Sequence, residues 1–171
     1  MNKIFSNDGS SVLAYIGLGS NLQNPAQQIQ NAQKAFNNLD GVRYLKCSSL
    51  YRSSPMGPQD QPDYINAVIA ISTILEPLTL LSHLQAIEQQ QGRVRQSQRW
   101  TARTLDLDLL LYSDQIINLP ELIVPHRGIS ERDFVLYPLQ EIAPNLLIPG
   151  KGKIADLIKH CPSYGLERIS A

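Results

Sequence analysis

The sequence has little cysteine, no excess of charge of either sign and no long apolar run. Its two cysteines, Cys47 and Cys161, are far apart and outside any CxxC motif, which excludes a disulfide framework and a cysteine zinc site. The 15 basic and 15 acidic residues cancel, which argues against electrostatic binding to nucleic acid or to an anionic membrane. No apolar run approaches the roughly 18 residues of a membrane-spanning helix, and the first residues lack the apolar core of a secretion signal. These absences predict a cytoplasmic protein without a nucleic-acid or membrane partner.

The residues that are present suffice for one folded domain. The chain has 171 residues, of which 43% are hydrophobic, so it can bury a core and intrinsic disorder is excluded. Residues 1–10 are polar and are predicted to form a flexible N-terminal tail. Residues 11–171 are therefore expected to form a single domain.

Two kinds of apolar spacing alternate along the chain. Apolar and β-branched runs predict strands at residues 12–18, 43–51, 64–74, 105–112 and 145–148. Apolar residues three and four apart predict helices from residue 25 to about 39 and at 78–91, 131–142 and 154–160, with Pro138 expected to break or shorten the third. Ser113 and Asp114 predict a hairpin turn into a further strand at 115–118. Because these elements lack the regular alternation of a parallel sheet, the predicted fold class is α+β, a largely antiparallel sheet with helices on its faces.

Two aspartates stand in the apolar strand predicted at residues 105–112. Successive side chains of a strand point to opposite faces, so Asp106 and Asp108 share one face and leucines occupy the other. Two carboxylates are costly to bury unless a cation neutralises them, and their oxygens suit a hard ion such as Mg²⁺. The pair therefore predicts a metal site, unless the strand lies at the edge of the sheet and both aspartates are simply solvated.

An arginine-rich segment precedes this pair. Arg93, Arg95, Arg99 and Arg103 lie within a short segment that contains no acid and no lysine. In a protein of zero net charge this segment indicates a local anion site, because one guanidinium group can donate two parallel hydrogen bonds to two oxygens of a phosphate. Trp100 lies among the arginines and offers a flat face to a ring or to a guanidinium. Arginines followed by paired acids are typical of a site for metal-bridged polyphosphate.

The paired aspartates and the arginine-rich segment are by themselves compatible with other functions. A metal-dependent nucleotidyl- or glycosyltransferase can also be built on an Asp-x-Asp strand, and its products from ATP would be pyrophosphate or a nucleoside diphosphate. A ferredoxin-like module that binds a small ligand or RNA would instead show exposed aromatic residues on its sheet and dispersed basic charge. Magnesium-dependent consumption of ATP would separate both kinds of enzyme from such a module.

Several motifs together resemble one enzyme family. The stretch R-W-T-A-R-T-L-D-L-D-L-L closely resembles the signature of the 6-hydroxymethyl-7,8-dihydropterin pyrophosphokinases of folate biosynthesis. From about Ala14 onward the resemblance continues through A-Y-I-G-L-G-S-N-L, Y-R-S-S-P-M-G-P-Q-D-Q-P-D-Y-I-N-A, E-Q-Q-Q-G-R-V-R, V-P-H and R-D-F-V-L-Y-P-L-Q-E-I-A-P. It implies a ferredoxin-like sandwich and transfer of pyrophosphate from MgATP to the hydroxymethyl oxygen of the pterin, with release of AMP.

The resemblance also implies roles for the charged residues. Asp106 and Asp108 are expected to hold two Mg²⁺ ions that bridge the ATP phosphates and the pterin hydroxyl. Arg93 and Arg103 are expected to contact the polyphosphate and to be catalytic together with the two aspartates. The other residues expected to bind ATP form two groups. Arg95, Arg99 and Trp100 lie on a loop that closes over the reactants, and His126 and Arg132 approach the phosphates from the other side.

A second group of residues is implied for the pterin. The ring is expected between Tyr64 and Phe134, and the other residues of its site are Ser53, Met56, Asn66 and Trp100. The spacing of Tyr64 and Asn66 supports this pterin site independently of the resemblance. The two residues are two apart in a predicted strand, so their side chains share one face. That face therefore carries an aromatic ring for stacking and an amide that can both donate and accept hydrogen bonds. The expected partners are ATP and 6-hydroxymethyl-7,8-dihydropterin, and the protein is expected to be a monomer.

Three positions depart from the usual family pattern. Thr101 stands where the signature usually has Gly or Ala, Arg127 where an aromatic residue is common, and Glu121 where some members carry a basic residue. These differences bear on ATP affinity and leave the reaction class intact.

Overall fold

The computed structural model describes residues 10–92, 104–163 and 165–170. The helices are α1 (Pro25–Asn37), α2 (Pro77–Gln90), α3 (Asp133–Ile142) and α4 (Ile154–Lys159). The longer strands are β1 (Val12–Ser20), β2 (Val42–Cys47), β3 (Leu50–Ser53), β4 (Tyr64–Thr73), β5 (Asp106–Tyr112) and β10 (Glu167–Ser170). Four two-residue strands complete the described elements: β6 (Ile117–Asn118), β7 (Ile123–Val124), β8 (Leu147–Ile148) and β9 (Gly152–Lys153).

The six longer strands form one antiparallel sheet in the order β10-β3-β4-β1-β5. β2 pairs with the second half of β4, beyond the part that pairs with β3. β4 also pairs with the whole of β1, from Val12 opposite Thr73 to Ser20 opposite Ile65. Among the described strands β5 therefore lies at one edge of the sheet, paired only with β1. The predicted α+β fold with a largely antiparallel sheet is confirmed.

Apolar cores cover both faces of the sheet. On one face α1 and α2 bury Phe36, Leu80 and Leu84 against alternate residues of β1 and β4 such as Ile16 and Ile69. On the other face α3 and α4 pack over the intervening residues, which include Tyr15, Val68 and Leu110. Burial on both faces explains why residues 67–71 of β4 are all apolar instead of alternating with polar ones.

The strand predicted at residues 43–51 is divided in two by serines. Ser48 keeps one backbone hydrogen bond to β4, from its N–H to the Val68 carbonyl (2.9 Å), but its hydroxyl and not a backbone carbonyl accepts from the Val68 N–H (3.0 Å). The next residue, Ser49, donates from both its backbone N–H and its hydroxyl to the Glu141 carboxylate of α3. The regular ladder is therefore interrupted after Cys47 and resumes at Leu50.

Two other predictions about local structure are wrong. A turn does follow β5 at Ser113, but β6 pairs with β7 instead of returning along β5 as a hairpin. Pro138 does not interrupt α3, although it lies inside the helix and cannot donate a backbone hydrogen bond. Its side chain is buried together with Leu136 and Leu139, so packing of the helix against the sheet compensates for the missing bond.

No described helix has the length and apolarity needed to cross a membrane, the longest being α2 with 14 residues. The predicted N-terminal tail falls almost wholly on residues 1–9, which are outside the described residues.

Candidate active site

Two glycines of β1 line a cavity of about 380 Å³ at one end of the sheet, and side chains of both α2 and α3 line it as well. Gly17 lies opposite Asp108 of β5, and Gly19 lies between Asp106 of β5 and Asn66 of β4. A Cβ at Gly19 would stand 3.4 Å from the Asn66 side-chain oxygen, so any other residue would fill this space. The alternation of Gly17 and Gly19 in an apolar strand is a sequence signal for a close approach of ligand to backbone, and the sequence analysis missed it.

The two aspartates stand on one wall of this cavity. Asp106 and Asp108 are both half-buried and both line it, as their spacing on one strand face predicts. β5 is an edge strand, but its aspartates do not simply face solvent: both line the cavity, and the turn after β7 approaches Asp108, with the His126 Nε2 atom 3.9 Å from the Asp108 Oδ2 atom. The pair therefore faces a cavity, open on one side, in which a cation and phosphates can be held.

A third carboxylate, which the sequence analysis did not single out, lines the same cavity. Glu88 of α2 is only 3% exposed, and its Oε1 atom accepts a hydrogen bond from the backbone N–H of Leu107 at 3.0 Å. That N–H lies between the two aspartates on the edge strand. Leu80, Leu84 and Ile87 form the buried face of α2, and the helical spacing puts Glu88 on that face as well. This spacing was the sequence signal for a buried acid.

His126 is held in the turn between β7 and α3. Its backbone N–H donates to the Leu110 carbonyl (2.9 Å), and its Nδ1 atom accepts from the backbone N–H of Gly128 (3.1 Å). Burial lowers the pKa of His126 to about 4; Arg132 also lowers it, whereas Asp106 raises it. The ring is therefore neutral near pH 7, and its approach to Asp108 is not an ion pair.

Arg132 connects the charged and the aromatic parts of the cavity. It precedes α3, and its guanidinium carbon lies 5.8 Å from the centre of the Phe134 ring, within range of a cation–π contact. Both side chains line the cavity. A ligand that bears a flat ring and a phosphate chain would therefore meet both groups at adjacent positions.

The far end of the cavity is formed by β3, β4 and the loop between them. The Asn66 side-chain nitrogen donates to the Ser53 hydroxyl (2.9 Å) and to the Tyr51 carbonyl (3.3 Å). Ser53 and Asn66 are almost fully buried, and Tyr64 and Met56 line the cavity beside them. The arrangement offers fixed polar groups at the edge of a space that is flanked by aromatic rings.

The loop between β3 and β4 is tied to the end of β1. The buried Asn21 side chain donates two hydrogen bonds, to the Gln61 side-chain oxygen and to the Pro62 carbonyl, each at 3.0 Å. Within the loop Gln59 donates to the carbonyls of Pro55 and Gly57. Asn21 therefore shapes this end of the cavity by holding the loop that carries Met56.

All of the sequence-predicted site residues that lie in the described part of the chain line this one cavity: Ser53, Met56, Tyr64, Asn66, Asp106, Asp108, His126, Phe134 and Arg132. The remaining ones, Arg93, Arg95, Arg99, Trp100 and Arg103, lie outside the described residues, as does Thr101.

The donor set near the aspartates fits magnesium better than a transition metal. Within the described ranges no group of three or more His, Cys, Asp or Glu side chains is arranged to hold a metal ion by itself. Mg²⁺ needs few protein ligands, because it retains water and takes phosphate oxygens as further ligands. Two half-buried carboxylates on one strand face satisfy that requirement.

The comparisons with known proteins agree on one family. Residues 15–144 match the family described as 7,8-dihydro-6-hydroxymethylpterin-pyrophosphokinase (HPPK). The 2-amino-4-hydroxy-6-hydroxymethyldihydropteridine pyrophosphokinase of Pseudomonas aeruginosa is 50% identical over 155 residues, which cover 91% of this chain and 95% of that protein. The enzyme of the same name from Haemophilus influenzae is 47% identical over 159 residues, covering 93% and 99%.

A solved structure shares the fold at low sequence identity. The crystal structure of wild-type Plasmodium falciparum HPPK-DHPS with pteroate superposes with a TM-score of 0.68 at 13% identity. The match covers 91% of this chain and 43% of that longer one. At this identity the likeness is evidence of a common fold alone.

Proposed function

The chain belongs to the 7,8-dihydro-6-hydroxymethylpterin-pyrophosphokinase family, and from this premise we propose how its residues divide the work of the reaction. It is an ATP-dependent pyrophosphokinase of folate biosynthesis, which forms AMP and the pterin diphosphate. The observation that carries the assignment of the site is that pterin-type and phosphate-type residues, drawn from distant parts of the sequence, line one cavity.

The pterin occupies the end of the cavity formed by β3 and β4. Tyr64 and Phe134 flank the ring, and the Asn66 amide pairs with the donor and acceptor groups at its edge. Ser53, already hydrogen-bonded to Asn66, fixes the orientation of that amide, and the backbone near Met56 completes the edge. Trp100 is proposed to cover the bound ring.

The phosphates of ATP occupy the other end. His126 and Arg132 contact them from the α3 side, where the neutral imidazole and the guanidinium both line the cavity. Arg93, Arg95, Arg99, Trp100 and Arg103 are proposed to bind ATP from the opposite side, with Arg93 and Arg103 at the transferred group. Arginines on both sides can hold the triphosphate along its length.

Asp106 and Asp108 are proposed to hold two Mg²⁺ ions together with the phosphate oxygens. When bound, Mg²⁺ neutralises the charge that develops on the phosphates during transfer. The protein itself supplies alignment: the hydroxymethyl oxygen of the pterin attacks the β-phosphorus, the bond from that phosphorus to the bridging α–β oxygen breaks, and AMP leaves while the alcohol proton is released. Such a transfer needs positioning and charge neutralisation more than a covalent partner on the enzyme.

The remaining proposals concern the protein as a whole. Residues 11–171 are proposed to form one pyrophosphokinase domain, because both apolar cores are built on a single sheet. A cytoplasmic location is supported by two free thiols, Cys47 and Cys161, which suit a reducing compartment. The protein is proposed to act as a monomer without nucleic-acid or membrane partners, in keeping with its zero net charge.

Phosphorus NMR of the reaction mixture tests this division of work directly. ATP and 6-hydroxymethyl-7,8-dihydropterin should yield AMP and the pterin diphosphate in equal amounts, only in the presence of Mg²⁺. Samples without pterin control for hydrolysis of ATP. Formation of ADP and a pterin monophosphate would contradict attack on the β-phosphorus.

A further inference from the structure

Gly128 contacts two of the residues proposed to bind the phosphates. It lies in the turn between β7 and α3, and its backbone N–H donates to His126 Nδ1 at 3.1 Å. On its other side the Arg132 side chain lies directly against its Cα: a Cβ at this position would stand 2.6 Å from Arg132 Nε and 3.0 Å from Arg132 Cζ. One small residue thus contacts both the imidazole and the guanidinium.

Gly128 is distinguished by the space that it leaves for the Arg132 side chain and not by its backbone conformation. The φ angle of Gly128 lies outside the left-handed region, so an alanine could adopt the same backbone without strain. The turn is held independently by hydrogen bonds from Ile129 to the His126 carbonyl (3.0 Å) and from Glu131 to the Gly128 carbonyl (3.2 Å). Ile129 is fully buried and anchors the turn in the core. The one feature that alanine would change is the volume occupied by Arg132.

We propose that Gly128 is a positioning residue for the ATP phosphates, acting through His126 and Arg132. Its amide sets which imidazole nitrogen carries the proton, and its missing side chain lets the Arg132 guanidinium pack between the turn and the Phe134 ring. The inference rests on the proposed function, in which His126 and Arg132 contact ATP.

The hydrogen bond to His126 has a defined chemical consequence. A nitrogen that accepts from a backbone N–H carries no proton of its own, so the proton of the neutral ring is on Nε2. Nε2 is the atom that points toward Asp108 and the cavity. His126 therefore presents an N–H donor to the phosphates and no acceptor.

The packing of Arg132 has a second consequence. The Nε and Cζ atoms of Arg132 lie against Gly128, and its guanidinium lies near the Phe134 ring, so the Arg132 side chain is confined on two sides. A side chain held in this way loses less conformational entropy when it binds a phosphate. A methyl group at residue 128 would displace the guanidinium from this place while leaving the pterin-facing side chains of β3 and β4 untouched.

The variant Gly128→Ala tests the inference. Calorimetry should show MgATP binding weakened about tenfold, the loss expected when one charge-assisted hydrogen bond is disrupted, with pterin binding changed less than about twofold. The thermal midpoint should remain within a few degrees of the wild-type value. Glu131→Ala, an exposed neighbour in the same turn, is the matched control and should bind both ligands normally.

A double-mutant cycle separates the inference from the proposed function. Arg132→Ala alone should weaken MgATP binding, and adding Gly128→Ala to it should have no further effect, because the displaced group is gone. An equal effect of Gly128→Ala in both backgrounds, or no effect in either, would overturn the inference and leave the ATP site standing. If Arg132→Ala leaves MgATP binding unchanged, the proposed ATP contact itself fails and the inference fails with it.

Nitrogen NMR of the wild-type protein provides a test that does not depend on the folding of any variant. With histidine labelled at both ring nitrogens, the chain contains three histidines to assign. The signal from His126 should show a protonated Nε2 and an unprotonated Nδ1. A protonated Nδ1 would overturn the role assigned to the Gly128 amide.

Discussion

The two ends of the cavity are built in different ways. At the end proposed to bind pterin (the pterin end), the polar groups are almost fully buried and are hydrogen-bonded to one another, as between Asn66 and Ser53. At the phosphate end the charged groups Asp106, Asp108 and Arg132 are half-buried and come from an edge strand and a turn. A neutral ring needs a fixed shape, whereas a triphosphate brings charge that must be balanced on arrival. Under the proposed assignment, the pterin end is therefore formed before ligand binds, and the phosphate end is completed by the ligand and its cations.

The support behind each end shows the same difference. β3 is held from behind by Glu141, which accepts from the Ser49 hydroxyl (2.6 Å) and the Tyr51 hydroxyl (2.7 Å) and lies 3.3 Å from an Arg168 nitrogen. Burial alone would raise the pKa of Glu141, but hydrogen bonds from Ser49 and Tyr51 outweigh it and lower the pKa. On β5 the corresponding support is the hydrogen bond from the Leu107 N–H to Glu88. The pterin end is thus braced at several points.

The largest effect is expected at the acid pair. Asp106→Asn or Asp108→Asn should reduce kcat by about three orders of magnitude or more, since cation positioning contributes several kcal/mol to the transfer. Pterin binding without ATP should change little, because the pterin end is formed independently. Rapid-quench kinetics and calorimetry measure the two quantities.

Asp114→Asn is the matched control for the acid pair, since it lies in the exposed turn just after the same strand. Near-normal kcat in Asp106→Asn or Asp108→Asn at saturating Mg²⁺ would remove that residue from the metal site.

A smaller but selective effect is expected at Tyr64. Tyr64→Ala should weaken pterin binding by about tenfold to a hundredfold, since stacking and buried ring area are both lost. MgATP binding should stay within about twofold of the wild-type value. Tyr64→Phe retains the ring and should bind pterin nearly as well as the wild type. Equal losses for both ligands would mean that Tyr64 supports the core and not the pterin end.

Glu88 offers a test of how strongly the phosphate end depends on the support behind β5. Glu88→Ala should raise the Mg²⁺ concentration for half-maximal activity about tenfold, because the N–H between the aspartates loses its acceptor. Glu88→Gln keeps an oxygen at that position and should show a smaller change. A titration of activity against Mg²⁺ that is identical for both variants and the wild type would exclude a role in positioning the acid pair.

The smallest expected effect is a pH dependence of stability from His126. Its pKa is lowered from the ordinary histidine value of 6.5 to about 4 in the folded protein, so below pH 6.5 the unfolded chain binds the extra proton more readily than the folded one. The stability due to neutral His126 is thus complete above pH 6.5 and is lost as the pH falls toward 4. Between pH 7 and pH 5 the ligand-free protein should lose about 1–2 kcal/mol from this group.

Denaturant unfolding of the wild type and His126→Gln at both pH values isolates this contribution. The stability difference between the two proteins should be smaller at pH 5 than at pH 7. His160→Gln, at an exposed histidine, is the control for an unrelated loss of imidazole. A difference that does not vary with pH would show that His126 titrates alike in the folded and unfolded states.

Much of the fold could be predicted from local spacing. The predicted helices correspond to α1 to α4, and Pro25 begins its helix as expected. Errors occurred where a distant residue decided the outcome: the regular strand is interrupted at Ser48 and Ser49, because the Val68 N–H donates to the Ser48 hydroxyl and the Ser49 N–H donates to Glu141. In the same way β6 pairs with β7, and β10 adds to β3 at the end of the chain. Apolar periodicity predicts which residues a strand buries, but it carries no information about which strand lies alongside.

The sequence by itself determined the family, the α+β class and the shared strand face of Asp106 and Asp108, because motif order and the two-residue period of a strand are properties of the chain alone. Only the tertiary structure decided that Gly17 lies opposite Asp108 and that Gly19 lies between Asp106 and Asn66. It also decided that Glu88 accepts from the N–H of Leu107 and that the Arg132 side chain packs against Gly128. Each of these contacts joins residues whose distance depends on strand order, on helix docking or on the exact path of a turn. Such distances follow from the packing of the whole sheet and its two cores, which no local pattern encodes.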